Sequence, residues 1–414
     1  MDTSKGNFSL QTLSIESSGR KTVLTPNHLL ELVYTENIRS NSIHLTLTVT
    51  DTESGFISNL QGMEPVDVGY TDNLSDTTHE MQLYVYDIQN RGVQSDGKLK
   101  ATLMCCSGEL ITNAATKLSR RFGQGDGKLI SEIVQNDILQ NIMGVRNKEV
   151  FVEPTKNKFS FISTYWTPFT IIKWIAAKAI SQSGSGPNAS AGYVFYENIK
   201  GYFFESFDGF ATKKVSRVFV VGYDPKPGED RGNKIPIDKI TVVSTSDVLQ
   251  GLNLGSYSSM VMTLDLKDMK YTEYPFNINK YYENVPKMNA DAKLPEYFAA
   301  FKDKTAATRI MSKIVDTALF TEGTHTQDVT KHISQSSLRE KLFYNKEVEL
   351  EYIGDLNLYI GEVVELVSFK GKSREKDVQN SGKYVVGKIT RQFKSAADNM
   401  TTKVTLYTDS PGVE

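Results

Sequence analysis

Along residues 41–50 the sequence NSIHLTLTVT places Ile43, Leu45, Leu47 and Val49 on one face and His44, Thr46, Thr48 and Thr50 on the other, the period-two alternation of a half-buried strand. Alternating runs follow at Val66, Val68, Tyr70, at Met81, Leu83, Val85 and at Leu99, Ala101, Leu103, Cys105, separated by the turn-rich stretches QNRG and SDGK. A small antiparallel sheet or barrel is predicted over residues 1–106. The period then becomes helical. Ser107 can cap a helix carrying Leu110, Ile111, Ala114, Ala115 and Leu118, and a second helix carries Leu129, Ile130, Ile133, Val134, Ile138 and Ile142 before Gly144 stops it. Thr167-Pro168 opens a third, with Ile171, Ile172, Ile175, Ala176 and Ala179 as its buried face. YVFYENIKGYFFESF reads as two strands joined by a tight turn at residues 198–201, closing a mixed α/β unit over residues 107–210.

The strand TKKVSRVFVVG opens another β-rich stretch, residues 211–245, and residues 246–334 read as a mixed insertion with a helix predicted over 304–320. From Lys346 the alternation returns: Val348, Leu350 and Tyr352 against Glu347, Glu349 and Glu351, then EVVELVSF, GKYVVGKITRQF and TKVTLYT, within residues 335–410. PVDVGY, MQLYVYDIQ and KLKATLMCC lie about 17 residues apart, and the last three runs about 20 apart, each set ordered strand, longer strand, strand. The spacing predicts two copies of one small barrel, the second interrupted by the insertion. The expected fold class is α+β, mainly β.

Composition agrees: 20 Tyr and 20 Phe against 2 Trp suit half-buried pleated surfaces. With 414 residues, two to four domains are affordable. The balance of 47 Lys+Arg against 49 Asp+Glu argues against a dedicated nucleic-acid or anionic-membrane binder. No signal peptide is read in residues 1–20, and the longest apolar stretch, 169–180, is broken by Lys173 and Lys178, too short for the roughly 20 residues of a membrane helix.

Candidate chemistry is thin. FGQGDGKL resembles a phosphate-binding loop, but Walker spacing would need glycine at Phe122 and a hydroxyl at Leu129, and a helix is expected before it where a strand is required. The histidines at 28, 44, 79, 325 and 332 show no metal-binding spacing, and adjacent Cys105 and Cys106 point to opposite strand faces, one expected buried and one semi-exposed. Glu347, Glu349 and Glu351 share one strand face, which fits solvent or a cationic partner better than a pair of facing catalytic carboxylates. The short basic groups Lys117, Arg120, Arg121 and Lys370, Lys372, Arg374, Lys376 read as solvated surface. No catalytic residue, metal or cofactor is expected.

Gly354, Leu358, Gly361 and Val364 in IGDLNLYIGEVVELV, with Gly382, Tyr384, Val385 and Ile389 in GKYVVGKIT, resemble the motifs of the baseplate hub proteins of contractile-tailed bacteriophages, related to the first half of type VI secretion spike proteins. WTPFTIIKWIAAKAI followed by YVFYENIKGYFFESFDGF is similar to the family's helix and aromatic hairpin. Arg391-Gln392 stands where the secretion branch often has histidine. The resemblance implies two tube-like barrels per chain, so that a homotrimer presents six like units to a hexameric tail tube and keeps threefold symmetry for a trimeric central spike protein. It implies as partners the tail tube or a tube-initiator protein, the spike and the surrounding baseplate wedge, with DNA only in transit through the lumen. It further implies synthesis in the host cytoplasm and residence in the virion. Ring contacts are expected from Ile43, Leu45, Leu47, Lys383, Val385 and Lys388, by pairing of sheet edges. A virion-associated cell-wall or polysaccharide hydrolase and a receptor-binding tail module are the readings from other classes.

Overall fold

The computed structural model describes residues 8–25, 27–51, 55–72, 77–124, 127–183, 192–221, 234–237, 239–245, 247–281, 286–289, 307–315, 329–354, 357–370, 375–395, 399–410 and 412. The fold is α+β and mainly β, and fourteen strands join one curled sheet built from two modules. The first comprises Phe8–Ser17, Arg20–Val23, Leu29–Asn37, His44–Asp51, Pro65–Asp72, Thr77–Val93 and Leu99–Cys106; the second comprises Val215–Val221, Lys234–Ile237, Ile240–Ser244, Lys346–Ile353, Val363–Val367, Gly382–Lys394 and Asn399–Thr408. Numbered by chain order within each module, both follow one spatial path: second, first, fifth, sixth, seventh, fourth, third. Each is a half-barrel, since among the described residues its second and third strands do not pair.

The likeness extends to single residues. Both sixth strands carry a bulge at the same place, between Val85 and Asp87 opposite Cys105 and Met104, and between Val386 and Lys388 opposite Leu406 and Thr405. The Met63 amide donates to the Val85 carbonyl and the Val85 amide to that of Glu64, just as Gly361 donates to Val386 and Val386 to Glu362. Met63 and Gly361 share a left-handed backbone, φ +73° and +84°. One strand departs: Phe8–Ser17 is antiparallel to both neighbours, whereas Val215–Val221 is parallel to both, because the chain enters it directly from the helix Phe207–Thr212.

Between the modules lies the mixed α/β unit. Thr167 caps Pro168–Ala176, its Oγ1 accepting from the Thr170 amide, with proline at the first helical position where no amide partner is required. Ile171, Ile172 and Ile175 pack with Ile133, Val134 and Ile138 and with the hairpin Tyr193–Asn198 and Gly201–Ser206. The second expected helix starts as α at Ile130–Glu132 and widens to a π-helix over Ile133–Ile142; Gly144 leaves it at φ +67°.

The insertion corrects one expectation. Residues 309–315 are a strand, Arg309–Val315, parallel to Ser258–Asp265, which also pairs with Lys270–Asn277; residues 304–306 and 316–320 of the expected helix lie outside the described residues. RIMSKIV alternates Ile310, Ser312 and Ile314 with Arg309, Met311 and Lys313, and the neighbouring strand supplies the pairing that its own sequence cannot announce. The helix Val329–Phe343 packs across this sheet through Leu338 and Leu342.

Candidate assembly site at the seam between the modules

The strand Leu29–Asn37 turns Leu32, Tyr34 and Glu36 inward, and Gly382–Lys394 turns Ile389, Arg391 and Phe393 inward. These strands pair antiparallel from Lys388 opposite Asn37 to Lys394 opposite Glu31, so the sheet runs unbroken from one module into the other. On the outer face Gln392 Nε2 donates to Glu31 Oε1 at 2.5 Å. On the inner face the apolar pattern is broken by two charged residues, Glu36 at 0% and Arg391 at 3% exposure.

Glu36 Oε1 accepts from the Tyr34 hydroxyl at 2.6 Å and from the Ile199 amide at 3.1 Å, and Oε2 accepts from the Ile360 amide at 3.4 Å. Arg391 donates to the Leu358 carbonyl at 2.7 Å and lies 5.5 Å from the centre of the Tyr34 ring. One carboxylate thus touches the first module, the turn of the α/β hairpin and the second module. Burial pushes its pKa up, against the opposing pull of Arg391, Tyr34 and the two amides.

Glu197 makes a second tie. Its Oε2 accepts from the Ile43 amide at 3.0 Å and the Ser107 hydroxyl at 2.6 Å, and its Oε1 meets Lys148 Nζ at 2.6 Å; Lys148 also holds Glu109 at 2.6 Å. Burial raises the Glu197 pKa; it also works against the Lys148 ammonium, but the two carboxylates outweigh it and hold that lysine above its ordinary value. Ser107 spends its hydroxyl here rather than on capping its helix. Arg339 bridges Asp208, at 2.7 Å, and Asp409, at 3.6 Å, and Lys213 joins Glu205 to the Gly361 carbonyl. Through Glu36, Glu197 and Lys213 these polar contacts tie the α/β unit to both modules.

The family-motif residues all fall in the second module. Leu358, Val364, Tyr384, Val385 and Ile389 are buried in its core, and Tyr384 donates to the Asn380 carbonyl. Gly354 accepts from Thr402 Oγ1; Gly361, at φ +84°, sits where a Cβ would lie 1.8 Å from the Tyr196 hydroxyl; Gly382, at φ +132°, abuts Asn289. Of the expected ring contacts, Ile43, Leu45, Leu47 and Val385 are buried, while Lys383 and Lys388 are half-buried. Both edges of His44–Asp51 are paired within the chain, as are both edges of the Gly382–Lys394 strand at Val385 and Lys388, while Lys383 pairs with Glu365 on one edge and donates its amide to Asn289 Oδ1. Edge pairing with another copy is therefore closed there, and only outward side chains such as Lys383 and Lys388 are free to meet one.

Both cysteines are buried, correcting the expected exposure of one, because the α/β unit covers the face reached by Cys106. Burial pushes Cys105 well up and Cys106 to about 11, so neither is a ready thiolate. The glycine loop follows a short strand, Arg121–Phe122, rather than the expected helix; Gly123 is pressed against the Phe159 backbone, and Lys128 pairs with Asp137 at 2.7 Å. His79 packs between Tyr70 and Tyr359, and Glu349 pairs with Lys403 at 2.8 Å. His325, Lys372 and Arg374 lie outside the described residues. Among the described residues no cluster of three or more His, Cys, Asp or Glu could hold a metal, and no helix is long and apolar enough to cross a membrane.

No protein-family model and no curated protein matches the chain. Solved structures do. A tail protein from Neisseria meningitidis MC58 aligns at TM-score 0.56 with 9% identity, over 97% of this chain and 97% of its own. The 43 kDa tail protein of prophage MuSo2 from Shewanella oneidensis aligns at TM-score 0.55 with 9% identity, over 96% and 98%. A component of the type VI secretion system of E. coli, described as similar to T4 bacteriophage tail proteins gp27 and gp5, aligns at TM-score 0.45 with 8% identity, over 98% and 77%. This chain thus shares, from end to end, the fold of these two tail proteins.

Proposed function

We propose that this chain is the structural hub of a contractile phage baseplate, three copies forming a pseudo-sixfold ring between a hexameric tail tube and a trimeric central spike. The observation that supports this best is the shared strand path and shared bulge of the two modules, which give each chain two equivalent units; three such chains offer six. The domain limits 1–106, 107–210, 211–245 with 335–410, and 246–334 belong to this reading. So do the tube or tube-initiator, spike and wedge as partners, DNA in transit, a virion location after synthesis in the host cytoplasm, and outward contacts at Lys383 and Lys388. The role is structural rather than enzymatic. Native mass spectrometry of the full chain, alone and with its spike, tests it: a trimeric mass is expected. A persistent monomer that degrades purified peptidoglycan would replace the hub by the hydrolase reading.

A further inference from the structure

Within one chain, the third strand of the first module pairs with residues 388–394, the outer half of the sixth strand of the second. The equivalent outer half in the first module, residues 87–93, has Leu99–Cys106 along one edge; Pro65–Asp72 pairs only with residues 77–84, and among the described residues no strand continues that second edge. The equivalent of the third strand in the second module is Ile240–Ser244, which pairs with Lys346–Ile353 on one side and with no described strand on the other. The chain therefore holds one completed junction and both halves of another. Among the described residues these halves do not pair with each other within one copy. Val242 and Val243 are 39% and 51% exposed and Val93 is 71% exposed, and each edge carries one bulge, between Val242 and Ser244 and between Gln89 and Gly92, so the two edges match in spacing.

We propose that Ile240–Ser244 of one copy pairs antiparallel with residues 87–93 of the next, repeating between chains the junction that Leu29–Asn37 makes within one. The register follows from equivalence. The shared bulge aligns Gln89 with Thr390, and Ser244 matches Thr35 because their partners, Glu347 and His44, oppose Tyr407 and Cys106 at equivalent places. Thr390 lies opposite Thr35, so Gln89 lies opposite Ser244. This deepens the ring reading above and rests on it.

The test is oxidative cross-linking of the full chain carrying Gln89→Cys and Ser244→Cys, with Thr35→Cys and Thr390→Cys as the intrachain control of the same geometry. A trimer covalently closed on a non-reducing gel, and reduced to monomer by thiol, is expected; each single variant should give none. Gly92→Cys with Thr241→Cys, the next pair in this register, supplies a second test should circular dichroism show the first to be unfolded. A trimeric mass without cross-linking in a folded pair, while the control closes, overturns this junction and leaves the ring reading standing. Absence of any trimeric mass, in the parent chain and variants alike, overturns both.

Discussion

Replacing Glu36 by alanine removes the acceptor shared by Tyr34, Ile199 and Ile360 and leaves Arg391 buried without its carboxylate. Leaving buried donors without their acceptor costs about 1–3 kcal/mol each, and denaturant titration should show a loss on that order, with part of it recovered when Arg391→Met removes the buried charge that Glu36 opposes. Buried carboxylates in several parts of the fold set a pH dependence. Glu36, Glu197, Glu340 and Glu362 are all pushed above the ordinary 4.5 by burial, so the stability they contribute is present below that value and is lost as pH rises through their folded values. Asp67, held below 3.8 by its hydrogen bond to Lys21, acts in a separate acid window. Thermal unfolding followed from pH 4.5 upward should therefore fall less steeply with pH in Glu36→Gln than in the parent chain. A third residue-scale contrast comes from the duplication: Gly361→Ala meets both a left-handed backbone and the Tyr196 hydroxyl, whereas Met63, at the equivalent position, points outward. Gly361→Ala should destabilise by more than about 1–2 kcal/mol, while Met63→Gly should be neutral or slightly stabilising in the same titration. Nothing in the sequence patterns marked Glu36, because two of its three donors, Ile199 and Ile360, lie 163 and 324 residues away.

At the scale of elements, what the chain could announce depended on whether the signal was local. The cap at Thr167 and the proline after it are neighbours in sequence, and the helix forms as read; Thr167→Ala should lower stability by about 0.5–2 kcal/mol, seen in the same denaturant midpoint. The strand His44–Asp51 was legible because its alternation is strict and one face is buried. Arg309–Val315 was not, since a short run of mixed polar and apolar residues takes its state from the strand beside it. The π-pitch of Ile133–Ile142 was also hidden: its buried residues, Ile133, Val134, Ile138 and Leu139, satisfy a helical period of either pitch. The strands chosen from sequence for ring contacts failed as open edges for a related reason. Alternation tells which face is buried but not which edge is free, and both edges of the Gly382–Lys394 strand are taken at Val385 and Lys388.

Across the whole molecule, the duplication showed in the spacing of three runs, but the way the copies join did not: Gln392 and Glu31, bonded across the seam, are 361 residues apart. That separation makes the two modules one folding unit rather than beads on a string. Phe393 and Met400, which belong to strands of the second module, are buried in the core of the first beside Leu32 and Tyr34. Their side chains couple the cores as the backbone ladder couples the sheets, so the parent chain should melt these two modules together. Truncating both to alanine removes about 3–5 and about 2–5 kcal/mol of packing from the first core while leaving every backbone pair of the second intact. Scanning calorimetry of the Phe393→Ala, Met400→Ala chain should then resolve a first transition at lower temperature from a second near the parent value. A single transition, merely shifted downward, would mean that the ladder from Lys388 to Lys394 is enough on its own to keep the halves cooperative.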